Sequence, residues 1–217
     1  MKVYSLGMNC EVAFQMQRWL GTIESSLFSW VFILNDDLFL KALDNLDDIF
    51  RVRHFHKPSS DMFIDEKYQI CFHSRHNVKE LFDDEWNITN QSLYKETIDE
   101  LESRIDHLKE KFKKQLVLNE DKVFLRKIWL PDVKFWEQRV QFKHTVEFIT
   151  NLYKYLKNNA INNKLIIVVD KKHYCKELIA LEDDNLKIRA VDFFSPWDNT
   201  KDGADNDSWA KIFEEFL

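Results

Sequence analysis

Apolar residues recur along this chain in two rhythms, period two and period 3.6, and the rhythm divides it into elements. The C-terminal half is the most regular. Lys122 to Trp129 predicts a strand, with Val123, Phe124 and Leu125 at its centre and Pro131 ending it. Phe135 to Leu156 predicts a helix, with Phe142, Val146, Ile149, Tyr153 and Leu156 on one face. Leu165 to Val169 is continuously apolar, the mark of a strand buried on both faces of a sheet. A helix over His173 to Leu181, a strand over Lys187 to Phe194 and a helix over Ser208 to Phe216, capped by Asp207 or Ser208, complete the half. Alternation of strand and helix predicts a parallel sheet with right-handed crossovers.

The N-terminal half is less uniform. Val3 to Leu6 predicts a short strand ended by Gly7. Glu11 to Leu20 predicts a helix with Val12, Ala13, Met16, Trp19 and Leu20 on its apolar face, stopped by Gly21. Ile23 to Ile33 fits strand or loop equally. Asp36 to Phe50 predicts a helix opened by Asn35 or Asp36, and Tyr68 to Phe72 a strand ending at His73. The longest helix is predicted over Asn90 to Leu116, with Tyr94, Ile98, Leu101, Ile105, Leu108 and Phe112 at alternating spacings of four and three. That stripe fits a partner-binding or coiled-coil helix, or a helix packed on its own sheet. Fewer than four heptads favour the second. Residues 1–217 thus read as one α/β domain, a mostly parallel sheet flanked by helices.

Composition narrows the chemistry. There are three glycines in 217 residues, against about 15 at average usage of roughly 7%. No two are close enough for a dinucleotide fingerprint, a P-loop or a G-x-S-x-G elbow, so phosphate cradles of these kinds are excluded. With 31 basic against 37 acidic residues and a net charge of −6, nucleic acid is not an expected partner. No window is apolar enough to span a membrane, and the N-terminus has no apolar core with a cleavage site, so a cytoplasmic protein is expected. Cys10, Cys71 and Cys175 are odd in number and widely spaced, without C-x-x-C; each is a small buried hydrophobe or a reactive thiol. His54 and His56 share a strand face and could hold a metal together with His73 or His76. Nothing else has ligand spacing, so neither metal nor cofactor is expected.

The sharpest local feature is Ser5-Leu6-Gly7-Met8-Asn9-Cys10. A strand ends, a glycine turns the chain, and Cys10 lands at or just before a first helical turn. Unpaired N–H groups and the helix dipole there favour a thiolate and could hold an oxyanion. The alternative is a small residue filling a tight junction. A nucleophile needs a base. His73 ends its strand; if that strand lies parallel beside the first, both residues share one sheet edge, where open α/β folds bind ligands. His76 is the reserve, and a hydrogen-bonded structural imidazole is the alternative for His73. Asp132, Asp170 and Asp192 follow or end the three C-terminal strands. Each could orient an imidazole or cap the next turn.

At Ser5-Leu6-Gly7-x-x-Cys10-x-x-Ala13 the chain resembles a bacterial family of papain-like cysteine peptidases, largely uncharacterised. The resemblance continues through Arg18, Glu24 to Trp30, Phe72-His73 and Arg126, most specifically in the first thirty residues. The family often has Phe-Asp-Trp where this chain has Phe28-Ser29-Trp30, and His-Asp where it has His73-Ser74. The resemblance implies a cysteine-nucleophile hydrolase or acyltransferase. Cys10 would attack an acyl or amide carbon and His73 would move the proton. Backbone N–H groups at Cys10, with Ser5 or Asn9, would hold the oxyanion, and Trp30 and Arg126 would line the cleft. Peptide, amide or glycan-linked acyl substrates all fit. The alternatives are a non-catalytic binding or assembly protein, with homo-oligomers one possibility, and an α/β enzyme acting on a glycan or its acyl group.

Overall fold

The computed structural model describes residues 1–21, 25–51, 62–76, 78–85, 87–128, 142–192 and 205–216. Four strands, β1 (Lys2–Ser5), β5 (Lys122–Lys127), β6 (Asn163–Asp170) and β7 (Leu186–Val191), form a parallel sheet in the order β1-β5-β6-β7. Helices flank it, so the α/β reading of the sequence holds. In β6, Leu165 to Val169 are fully buried. Leu165, Ile167 and Val169 face one apolar cluster with Phe124; Ile166 and Val168 face a second with Val123, Leu125, Trp209 and Phe213. That two-sided burial is why the segment carries no polar alternation.

A second sheet, antiparallel and in the order β2-β4-β3, was not foreseen: β2 (Val31–Ile33), β3 (Met62–Asp65) and β4 (Ile70–His73). Val31, Ile33, Phe63, Ile70 and Phe72 enter the same core cluster as Phe124 and Leu165, so the two sheets share one interior. On the other face, Phe32, Met62 and Cys71 close over Met8. The Ile33 N–H donates to the Met8 carbonyl at 3.0 Å, stitching β2 to the chain that leaves β1.

Helix α1 (Glu11–Leu20) has the bounds expected and ends where Gly21 takes φ +72°. Its buried face differs. Trp19 is 41% exposed, whereas Glu11 and Gln15 are buried. The helix turns these polar residues toward α7 (Asn206–Phe216), where the Gln15 amide donates to Asn206 Oδ1 at 3.0 Å. Helix α2 (Asp36–Asp44) is capped by Asn35, which accepts the Leu38 N–H, and passes through a 3-10 turn at Leu46–Asp48. Helix α7 is capped by Asp205, not by Asp207 or Ser208. The Asp205 carbonyl accepts the Trp209 N–H and its carboxylate the Ser208 N–H, while Lys171 Nζ holds the same carboxylate at 2.7 Å.

Helix α4 (Gln91–Val117), capped by Asn90, buries Ile98, Leu101, Ile105 and Phe112 in the shared core. Most of the heptad stripe is therefore consumed within the chain, with Tyr94 and Leu108 partly buried. Lys122, itself buried, donates to the carbonyls of Gln115, Leu116 and Leu118 and so caps the C-terminus of α4. Helix α5 (Phe142–Asn159) covers one face of the parallel sheet, and the residues expected to begin it, 135–141, lie outside the described ones. Two short helices, α3 (Val78–Leu81) and α6 (Lys176–Ile179), complete the described structure.

Candidate active site

Cys10 occupies the N-cap position of α1, and its carbonyl accepts the first helical bond from the Phe14 N–H at 2.9 Å. Its side chain makes no capping bond. Asn9 does that work, with Oδ1 accepting the Glu11 N–H at 3.2 Å. The thiol is left at the positive end of the helix dipole, half-buried. Cys10 Sγ lies 3.7 Å from His73 Nε2, within hydrogen-bonding reach for sulfur.

The route to this contact differs from the one the sequence suggested. β1 and the strand of His73, β4, are not parallel neighbours; they belong to different sheets. The junction between the sheets makes the pair. Gly7 has φ +76°, and a Cβ there would meet Phe28 O, Val31 Cγ2 and Ile33 Cδ1, each at 3.0 Å. Only glycine allows β1 to pass that close to β2. Met8 follows at φ +95°, a region that costs a non-glycine residue about 1–3 kcal/mol. Ser5 tightens the turn: its Oγ accepts the Gly7 N–H at 3.0 Å and donates to Phe28 O at 3.5 Å. Ser26 Oγ returns a bond to Ser5 O at 3.0 Å. Ser5 is fully buried, and its hydroxyl is engaged within the turn.

Consecutive residues of β5 clamp the two ends of this turn from opposite faces. Arg126 donates to the Leu6 carbonyl at 2.9 Å, pairs with Asp36, and lies over the Phe39 ring at 4.5 Å. Burial pushes the Arg126 guanidinium below its usual range and the Asp36 carboxyl above its own, partly offset by their attraction. With 0% exposure, Arg126 is no wall of a cleft; it holds the turn from beneath. Lys127 pairs with the Glu11 carboxylate, which also accepts the Trp209 indole N–H at 3.0 Å. Burial lowers the Lys127 pKa, against the pull of Glu11 and Asp170. Glu11 adjoins Cys10, so this buried pair fixes the start of α1.

On the other side, the Arg104 guanidinium of α4 donates to the His73 carbonyl and pins the end of β4. His73 and Trp30 line a cleft of about 460 Å3 with residues from α4. Trp30 packs edge-on to Phe14, with ring centroids 5.1 Å apart. Another concavity, lined by Asp121, Asn162 and Asn185, sits at the opposite, N-terminal edge of the parallel sheet and contains neither Cys10 nor His73.

The remaining candidates have other partners. Asp170 caps the 3-10 turn at Lys171–His173 through the Lys172 N–H. Asp192 is exposed and pairs with Lys171 at 2.8 Å. Asp132, His54 and His56 lie outside the described residues. Among the described residues no group of His, Cys, Asp and Glu converges to hold a metal ion, and no helix is long and apolar enough to cross a membrane. Residue-level reading missed Arg104, Glu11 and Lys127. Charge alone gives no hint that Glu11 and Lys127 are buried or that the exposed Arg104 reaches the His73 carbonyl.

Taken together, these features define an α/β domain with a thiol and an imidazole in contact across the seam of its two sheets. No family model, curated protein or solved structure matches the chain.

Proposed function

We propose that this protein is a cysteine-nucleophile hydrolase or acyltransferase. The observation that carries the reading is the 3.7 Å approach of Cys10 Sγ to His73 Nε2, with Cys10 at a helix N-terminus. A free thiol has a pKa near ~8.5 and is mostly protonated at neutral pH, so an adjacent base and a helix dipole are what turn it into a nucleophile. The resemblance to papain-like cysteine peptidases at Ser5 to Ala13 and at Phe72-His73 supports the same reading.

In this mechanism His73 Nε2 takes the thiol proton while Sγ attacks the substrate carbonyl carbon. A carbon–sulfur bond forms and the carbonyl oxygen becomes an oxyanion, stabilised by the positive end of α1. Collapse breaks the bond to the leaving group, which receives the proton from His73. Water, or an acceptor hydroxyl or amine, then gives its proton to His73 and displaces the acyl group, regenerating the thiol.

The experiment is intact-mass analysis after incubation with a p-nitrophenyl ester. The expected result is one acyl adduct, mapped to Cys10, absent in Cys10→Ala and formed at least ~100-fold more slowly in His73→Ala. An adduct that does not map to Cys10, or one indifferent to His73→Ala, would remove this reading.

A further inference from the structure

The cleft beside His73 has a marked chemical character. Its walls are Leu27, Trp30, Val31, Phe72, Ile105 and Leu108, drawn from β2, β4, α4 and the turn before β2. Five polar side chains also line it: Ser25 and His107 are exposed, His73 contacts Cys10, and Ser26 and Arg104 bond to the protein. Ser26 Oγ donates to Ser5 O and meets Ser29 Oγ at 3.0 Å, and the Arg104 guanidinium donates to the His73 carbonyl. A sugar ring entering such a cleft would give up bonds to water with little to replace them, whereas a hydrocarbon group gains by leaving water.

His73 is both a wall of this cleft and the partner of Cys10. Cys10 is not itself a wall of the cleft, so a chain lying there would reach the thiol past the imidazole. Size agrees: an apolar cavity of about 150 Å3 holds benzene, and this cleft has about 460 Å3. From these observations we infer that the cleft binds the apolar acyl portion of the substrate, so that the group transferred is an aliphatic or aromatic acyl group and not a sugar. As a statement about substrate, this rests on the cysteine-acylation reading above. As a statement about binding, it stands apart from it.

Two measurements separate the claims. The first compares acylation rates at Cys10 with p-nitrophenyl acetate and hexanoate. Each buried methylene favours the longer chain, and the expected preference for hexanoyl is at least ~10-fold. Leu108→Trp fills the cleft from the helix side, and Ser25→Phe, at an exposed rim position, fills it without touching the core. Both are expected to bring the ratio toward one. N-acetyl-leucine and N-acetylglycine p-nitrophenyl esters form a parallel pair. A preference in that pair alone points to an apolar amino-acid side chain, and one in the hexanoyl pair alone to a fatty acyl group.

The second measurement is binding of hexanoate to Cys10→Ala by saturation-transfer NMR, expected to be present and to be lost with Leu108→Trp added. If no ester acylates Cys10 but hexanoate binds in this way, the catalytic reading falls and the acyl cleft stands. Equal rates within both ester pairs, or no hexanoate binding to Cys10→Ala, overturn the inference.

Discussion

Arg126 shows how much one side chain can determine. It is fully buried, yet it carries a charge, because Asp36, the Leu6 carbonyl and two aromatic faces receive it. A buried pair adds little over an apolar replacement of both partners, but removing one partner leaves a buried charge behind. Arg126→Met is therefore expected to cost about 3–5 kcal/mol in urea denaturation. Adding Asp36→Asn is expected to recover part of that loss. Equal stability of wild type and Arg126→Met would contradict the clamp. Gly7, Met8 and Ser5 are bound into the same turn, and the roles of Met8 and Ser5 do not follow from composition. Gly7 was legible as a turn because glycines are so scarce here. The positive φ of Met8 had no signal, since methionine in that conformation is imposed by the Ile33–Met8 bond and by packing against Phe32 and Met62.

Among the elements, those governed by local rules were legible and those governed by tertiary pairing were not. Helix α1 was readable from its period and from Gly21, and α4 from its stripe. Of the parallel strands, β6 announced itself through a continuous apolar run and β5 through Val123, Phe124 and Leu125. β2 was ambiguous because three residues suffice once β4 pairs with them, and no periodicity can show in three residues. The start of α7 was placed too late because Asp205 is chosen as cap by a contact with Lys171, 34 residues away in sequence. That cap has a pH signature. Burial alone would raise the Asp205 pKa, but bonds from Lys171, the Asp192 N–H and Ser208 outweigh it and lower the value from 3.8 to about 2. A carboxylate with a depressed folded-state pKa contributes stability that is fully present above its unfolded value and is lost as pH falls through the folded one. Asp205→Asn is thus expected to lower stability by about 1 kcal/mol near neutrality, after allowance for solvent screening. The difference is expected to shrink as pH falls from about 4 toward about 2. A difference that stayed constant across that range in denaturation curves would assign the effect to something other than the carboxylate's charge.

For the molecule as a whole, the site is a property of the seam. Cys10 comes from the loop leaving the parallel sheet and His73 from the end of an antiparallel strand, and they meet because Gly7 lets the two sheets close on one core. The candidate pair was legible because a cysteine after a strand–glycine turn and a histidine at a strand end are conspicuous. Their contact was not derivable, since it depends on a second sheet whose existence the sequence did not reveal. The most direct measurement is the pH dependence of Cys10 alkylation by iodoacetamide, read by mass spectrometry so that buried Cys71 and half-buried Cys175 are scored separately. If His73 and the N-terminus of α1 activate the thiol, alkylation of Cys10 has its inflection well below ~8.5, and His73→Ala moves it up toward that value. A Cys10 inflection at or above ~8.5 that His73→Ala leaves in place would contradict the account.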